Sequence, residues 1–167
     1  MVMPCWFVDH QMSTAYLSLG SNLGDRMALL EEAIRLIEES IGTIVARSRM
    51  VETEPWGFTT SHRFINACIA VNTELSPQDC LSGLKEIEKR MGRLKSGKKE
   101  YADRLIDIDI VLYDDLVVET SNLILPHPHL QHRTFVLGPL AEIAPEKVHP
   151  VLGKTIRSLL EDLTSPS

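Results

Sequence analysis

The chain has 167 residues, 44% of them apolar and 24% charged, with a formal net charge of −6. That length suits one domain with a sizeable core, and the composition lies far from the signature of disorder. The acidic balance excludes wrapping of nucleic acid by general electrostatics, and no apolar run is long enough for a membrane span.

Residues 1–12 carry Asp9 and lack the basic residue of a secretory signal; because Met12-Ser13-Thr14 directly precedes the first strand-like run, the expectation is that Met12 is the physiological start or that this N-terminal extension is loose. Residues 13–164 are expected to form a single domain. The run from Thr14 to Leu19 alternates and predicts a strand that enters a turn at Gly20-Ser21-Asn22-Leu23-Gly24. Asp25 then caps a helix in which Leu29, Leu30, Ala33, Leu36 and Ile37 recur at helical spacing, and Gly42 ends it. Thr43 to Thr53 predicts a second strand, Glu54 to His62 a loop, and Phe64 to Thr73 a third strand paired with the second. Ser76-Pro77 is a strong helix start, and Cys80, Leu81, Leu84, Ile87 and Met91 line one face before Gly92. A Gly-, Ser- and Lys-rich segment follows, expected to be mobile. Leu105 to Tyr113 predicts a strand, succeeded by Leu116 to Val118, a Pro/His loop from Pro126, and helices near Phe135 to Ile143 and Thr155 to Leu163. Strand, helix, strand, strand, helix, strand is the order of an α+β ferredoxin-like sandwich with an antiparallel sheet, here with extra C-terminal helices. Such a fold decides no chemistry by itself.

The chemistry centres on Asp107-Ile108-Asp109. A side-chain period of two puts the carboxylates on one strand face and Ile106, Ile108 and Ile110 on the other. Their Cβ atoms stand about 6–7 Å apart, so converging side chains can flank two ions at the roughly 3.5–4 Å separation of two-metal phosphoryl chemistry. Oxygen ligands favour Mg²⁺ or Mn²⁺ over zinc. An isolated Asp-x-Asp is more often a solvated strand face, but like charges on an otherwise apolar strand repel unless a cation sits between them. The basic segment just upstream strengthens the metal reading: Lys89 to Arg104 holds seven basic residues against two acidic ones. Arg93, Lys95 and Arg104 are candidate phosphate contacts, while Lys98 and Lys99 are expected to be solvated. No glycine-rich phosphate loop is present.

After Pro126, His127, His129, His132 and Arg133 form a second polar cluster. Its spacing matches no zinc motif, so a nucleotide contact by His127 and Arg133 ranks above a metal site. His129 and His132 are expected at the surface, as are His10, His62 and His149. Trp56, Phe64 and Phe135 are each expected in the core when taken singly, yet together with Asn66 they can form a slot that stacks and reads a flat heterocycle. No catalytic triad or Cys-His pair marks a covalent nucleophile, which agrees with direct attack of a substrate oxygen on phosphorus. Cys5, Cys68 and Cys80 suggest neither a disulfide framework nor zinc, and point to a reducing cytoplasm.

The run from Arg104 through Asp107-Ile-Asp109-Ile-Val, with Gly20-Ser21-Asn22, Thr53-Glu-Pro55-Trp-Gly57 and Pro126-His127, resembles the 6-hydroxymethyl-7,8-dihydropterin pyrophosphokinases over roughly Thr14 to Leu163. The resemblance implies transfer of the terminal diphosphate of ATP to the pterin hydroxymethyl oxygen, with release of AMP, in folate biosynthesis. It further implies two Mg²⁺ ions held by Asp107 and Asp109, and Arg93 and Arg104 as catalytic cations. Nucleotide-binding positions would be Glu88, Arg93, Lys95, Tyr101, Arg104, Ile110, His127 and Arg133. Pterin-binding positions would be Asn22, Thr53, Pro55, Trp56, Phe64, Asn66 and Phe135, with Phe64 and Phe135 sandwiching the ring. Departures from the family pattern include Phe64 for tyrosine, Lys95 for arginine, Tyr101 for tryptophan, Pro128 for tyrosine and Glu54 for proline. A monomer acting on small molecules, without nucleic acid or membrane, is the expectation. The alternatives are a noncatalytic ferredoxin-like sensor of ATP and metal, which would not need the aromatic slot, and a phosphohydrolase, for which no water-activating group stands out.

Overall fold

The computed structural model describes residues 11–57, 59–92 and 105–166. Residues 1–10 and the expected contacts Arg93, Lys95, Tyr101 and Arg104, with Lys98 and Lys99, lie outside the described residues.

The elements are β1 (Ser13–Ser21), α1 (Arg26–Ser40), β2 (Thr43–Arg47), β3 (Val51–Thr53), β4 (Phe64–Thr73), α2 (Pro77–Arg90), β5 (Asp107–Tyr113), β6 (Val118–Glu119), β7 (Ile124–Leu125), α3 (Thr134–Ile143) and α4 (Ile156–Thr164). Local chemistry sets the helix starts. Asp25 accepts from the Ala28 N–H at 3.2 Å, Ser76 from Asp79 at 3.1 Å with Pro77 opening α2, and Thr155 from Ser158 at 3.1 Å. Each cap satisfies an amide that the helix itself leaves unpaired.

The sheet is antiparallel in the order β2-β4-β1-β5, with β3 continuing along β4 beyond β2. This is the ferredoxin-like arrangement expected from the element order. Leu17, Leu19, Ile69, Ile108 and Ile110 face α1 and α2 in one core. Cys68, Val111, Leu112, Leu137, Leu140, Ile156 and Leu159 form a second core on the opposite face, so the C-terminal helices close that face.

Three local features differ from expectation. The segment from Thr43 to Thr53 is two strands, because Ser48 turns aside while staying bonded to Cys68: its N–H donates to Cys68 O and its Oγ accepts from Cys68 N, both at 2.9 Å. Gly20 lies inside β1, opposite Asn66, and the turn is made further on, where Gly24 has φ +68°. His149 is buried, its Nδ1 accepting from Val151 and Leu152 at 3.2 and 3.0 Å, and so it staples the turn before α4. His62, His129 and His132 are exposed as expected.

β5 carries a bulge: Leu17 pairs with Ile110 and Tyr16 with Leu112, which leaves Val111 as an extra residue. Ile106, Ile108 and Ile110 therefore enter the first core, whereas Val111 and Leu112 enter the second. Such an insertion also disrupts the ladder locally. No helix among the described residues is long and apolar enough to cross a membrane.

Candidate active site

The antiparallel registers bring the separate sequence signals into two rows. Val51, Asn66, Gly20 and Asp107 lie side by side across β3, β4, β1 and β5, and Cys68, Ser18 and Asp109 form the next row on the same face. With strands about 4.8 Å apart, the Asn66 and Asp107 main chains stand roughly 10 Å from each other. The second core occupies this face as far as Cys68 and Leu112, and the polar rows continue beyond it.

Gly20 is the low point between the two ends. A Cβ there would meet Asn66 Oδ1 at 2.8 Å, so only glycine lets the amide lean over β1, while the Phe64 ring at 3.5 Å would be in ordinary contact. Asn66 is buried, and its Nδ2 donates to Thr53 Oγ1, which fixes the amide. Asn22, also buried, donates from Nδ2 to the His62 carbonyl at 3.3 Å and so anchors the end of the β3–β4 loop.

Asp107 and Asp109 are half-buried. Between them the Ile108 N–H donates to Glu88 Oε1 at 3.1 Å. β5 is the last strand of its sheet, and a buried side-chain acceptor satisfies a main-chain donor that the ladder leaves unmet there. Glu88, on α2 and only 3% exposed, thereby sets the height of both aspartates against that helix. The apolar stripe of α2 concealed this role, because Glu88 follows the buried Ile87 and lies at i+4 from Leu84.

The bulge places the other wall. The Val111 carbonyl accepts from the His127 N–H at 3.0 Å, and His127 Nδ1 accepts from the His129 N–H at 3.1 Å. An accepting Nδ1 puts the proton of the neutral ring on Nε2, making His127 a hydrogen-bond donor. Burial, reinforced by the Arg133 cation and by His129, pushes the His127 pKa down to about 4. The ring is therefore neutral at physiological pH. Arg133 is buried at the start of α3, with its guanidinium 4.6 Å from the centre of the Trp56 ring and 5.6 Å from that of Phe135. Trp56 also meets Phe135 at 6.4 Å and His129 at 5.5 Å between ring centroids. The tryptophan of the β3–β4 loop and the polar cluster before α3 thus form one wall. The Ile110 side chain lies in the first core. Sequence reasoning did not single out Ser18, the His129 amide or the Val111 carbonyl, and no Gly or Pro marks the bulge.

Among the described residues no group of three or more His, Cys, Asp or Glu side chains is arranged to hold a metal ion. Two carboxylates on one face fit magnesium better, since Mg²⁺ keeps several waters and takes one or two carboxylates alongside substrate phosphates.

The family model described as 7,8-dihydro-6-hydroxymethylpterin-pyrophosphokinase (HPPK) matches residues 16–145. The 2-amino-4-hydroxy-6-hydroxymethyldihydropteridine pyrophosphokinase of Porphyromonas gingivalis is 47% identical over 141 residues, covering 83% of this chain and 95% of its own. The folic acid synthesis protein fol1 of Schizosaccharomyces pombe is 38% identical over 152 residues, or 90% of this chain and 20% of its own. A crystal structure of Plasmodium falciparum HPPK-DHPS shares the fold with a TM-score of 0.75 at 20% identity, over 93% of this chain and 44% of that one. This chain spans less than half the length of that structure's chain. These matches mean that the chain belongs to the 7,8-dihydro-6-hydroxymethylpterin-pyrophosphokinase family and is a diphosphotransferase.

Proposed function

We propose that this protein transfers the terminal diphosphate of ATP to the hydroxymethyl oxygen of 6-hydroxymethyl-7,8-dihydropterin, releasing AMP, as a step of folate biosynthesis. The observation that carries this reading is the shared row of Asn66, Gly20 and Asp107: a heterocycle-reading amide at one end and a metal-binding carboxylate at the other. In the reaction the pterin hydroxyl oxygen bonds to the β-phosphorus, the bond from that phosphorus to the α–β bridging oxygen breaks, and the hydroxyl proton leaves to solvent.

Asp107 and Asp109 would hold two magnesium ions, which when bound neutralise the triphosphate and stabilise charge on the bridging oxygen as its bond breaks. Neither carboxylate acts as a general base. Glu88 keeps the strand that presents them in place. His127 donates from Nε2 and Arg133 supplies a cation toward the nucleotide, while Arg93, Lys95, Tyr101 and Arg104 complete that side. Asn66, held by Thr53, reads the pterin edge; Phe64 and Phe135 cover its faces; Asn22, Pro55 and Trp56 complete the wall. Binding both substrates in one orientation contributes most of the rate, as expected where no covalent intermediate forms.

The same reading makes the protein a cytoplasmic monomer, consistent with the free thiols of Cys68 and Cys80. Phosphorus NMR of the products tests the reaction directly. A pterin-linked diphosphate ester is expected, and release of orthophosphate with the pterin unaltered would defeat the assignment.

A further inference from the structure

Outside the polar rows, one charged network joins two segments that the sheet does not connect. Arg26, the first residue of α1, donates from Nη1 to the Arg63 carbonyl at 2.8 Å and from Nη2 to Glu52 Oε2 at 3.3 Å. Arg63 donates to the other oxygen of Glu52 at 3.2 Å and also pairs with Glu54. Beside this network, Asn22 donates to the His62 carbonyl. Two successive carbonyls at the exit of the β3–β4 loop, His62 and Arg63, therefore accept from Asn22 of the β1–α1 turn and from Arg26 at the start of α1. The entry of the loop, at Glu52 and Glu54, is closed onto its exit through Arg63.

We propose that Arg26 is a positioning residue for the acceptor substrate, tethering the β3–β4 loop to the start of α1 and thereby setting where Trp56 stands against Arg133 and Phe135. The inference rests on the assigned reaction for its kinetic consequence, though not for its geometry. An isolated exposed ion pair contributes little to stability, and Arg26 keeps 30% of its side-chain surface. Its planar fork, however, spans two chain segments and donates to a main-chain carbonyl, which fixes an orientation that a point charge would leave loose. Without the Arg26 fork the loop keeps the Thr53–Phe64 ladder, the Asn22 bond to the His62 carbonyl and the Arg63 pairs, but loses its direct link to α1, so Trp56 would spend part of its time away from the slot. Apparent affinity falls in proportion to the competent fraction, so a fraction reduced to about a tenth raises the apparent dissociation constant about tenfold. On the nucleotide side, β5, α2 and His127 take no part in this tether, and Arg133 meets it only through the Trp56 ring.

Arg26→Ala and Arg26→Lys, made in a Trp6→Phe background so that Trp56 is the sole tryptophan, decide the matter. Without any ligand, acrylamide should quench Trp56 more strongly in the alanine variant. In steady-state turnover the acceptor KM should rise about tenfold while kcat and the ATP KM stay within about twofold. The lysine variant, which retains a donor for the Arg63 carbonyl, should recover part of both effects. Unchanged Trp56 quenching would overturn the tether, and a fall in kcat with unchanged acceptor KM would overturn its role in acceptor binding. Wild-type protein that makes no AMP in the presence of the pterin would instead overturn the assigned reaction, with the quenching result still deciding the tether.

Discussion

Replacing Gly20 with alanine isolates the acceptor slot from the rest of the fold. The new methyl would stand 2.8 Å from Asn66 Oδ1, more than half an ångström inside the 3.4 Å at which ordinary contact begins, whereas the Phe64 ring at 3.5 Å need not move. The Asn66 amide must therefore retreat, and because Nδ2 is bonded to Thr53 and the residue is buried, retreat breaks that hydrogen bond. The loss costs about 1 kcal/mol, while alanine in place of glycine inside a strand recovers roughly 0.5–1 kcal/mol. The two terms nearly cancel in stability, so the melting temperature should move by no more than about 4 °C. Recognition has no such compensation: a misplaced amide leaves the polar edge of the heterocycle unmatched, at about 1–3 kcal/mol, or roughly 5- to 150-fold in affinity. Calorimetric titration of hydroxymethyldihydropterin in the presence of a non-hydrolysable ATP analogue, alongside differential scanning calorimetry, measures both quantities. Unchanged affinity in a variant of unchanged stability would refute the placement of the acceptor over Gly20.

Asp107→Asn and Asp109→Asn should each lower kcat by about 100-fold or more at near wild-type stability, since each removes one carboxylate from the cation site; single-turnover kinetics would expose a smaller loss. His127 titrates near 4 in the fold against an ordinary 6.5, so the unfolded chain binds more protons between those values. Its contribution to stability is complete above about 6.5 and falls by up to roughly 3 kcal/mol as pH drops toward 4. His127→Gln should flatten the pH dependence of denaturant stability in that window, leaving the smaller slope of His149, whose pKa burial also lowers. Burial pushes the Cys68 and Cys80 thiols up to about 12 and about 11, so mass spectrometry after iodoacetamide treatment at pH 8 should find both unmodified until the protein is unfolded.

Much of the architecture was legible because it is written in local chemistry. Ser76-Pro77 and Asp25 announce their helices through side chains that accept from specific amides, and β4 follows the apolar run from Phe64 to Thr73. What escaped detection depends on long-range partners. Ser48 divides a predicted strand by substituting its own hydroxyl for a main-chain bond to Cys68, with no Gly or Pro to signal it. The bulge at Val111 is visible only against β1, and the burial of His149 only through the turn amides that it accepts.

For the site, the period of two in β5 was sufficient to place Asp107 and Asp109 on one face, since alternation is a property of the strand itself. That Asn66 lies in the same row as Asp107 is a matter of register across β1, which depends on the pairing of distant segments. Gly20 looked like a turn glycine for the same reason: its use is to make room for Asn66, 46 positions away. Glu88 was assigned through family resemblance, and the structure adds its bond to the Ile108 amide between the aspartates.

The central claim is that the Asp107–Asp109 face and the Asn66 slot serve one reaction in which ATP loses a diphosphate to a pterin. Quantifying AMP and ADP formed by purified protein with ATP and magnesium, with and without hydroxymethyldihydropterin, tests it most directly. The account predicts one AMP for each pterin consumed and almost none in its absence. Steady production of ADP that is indifferent to the pterin would contradict it.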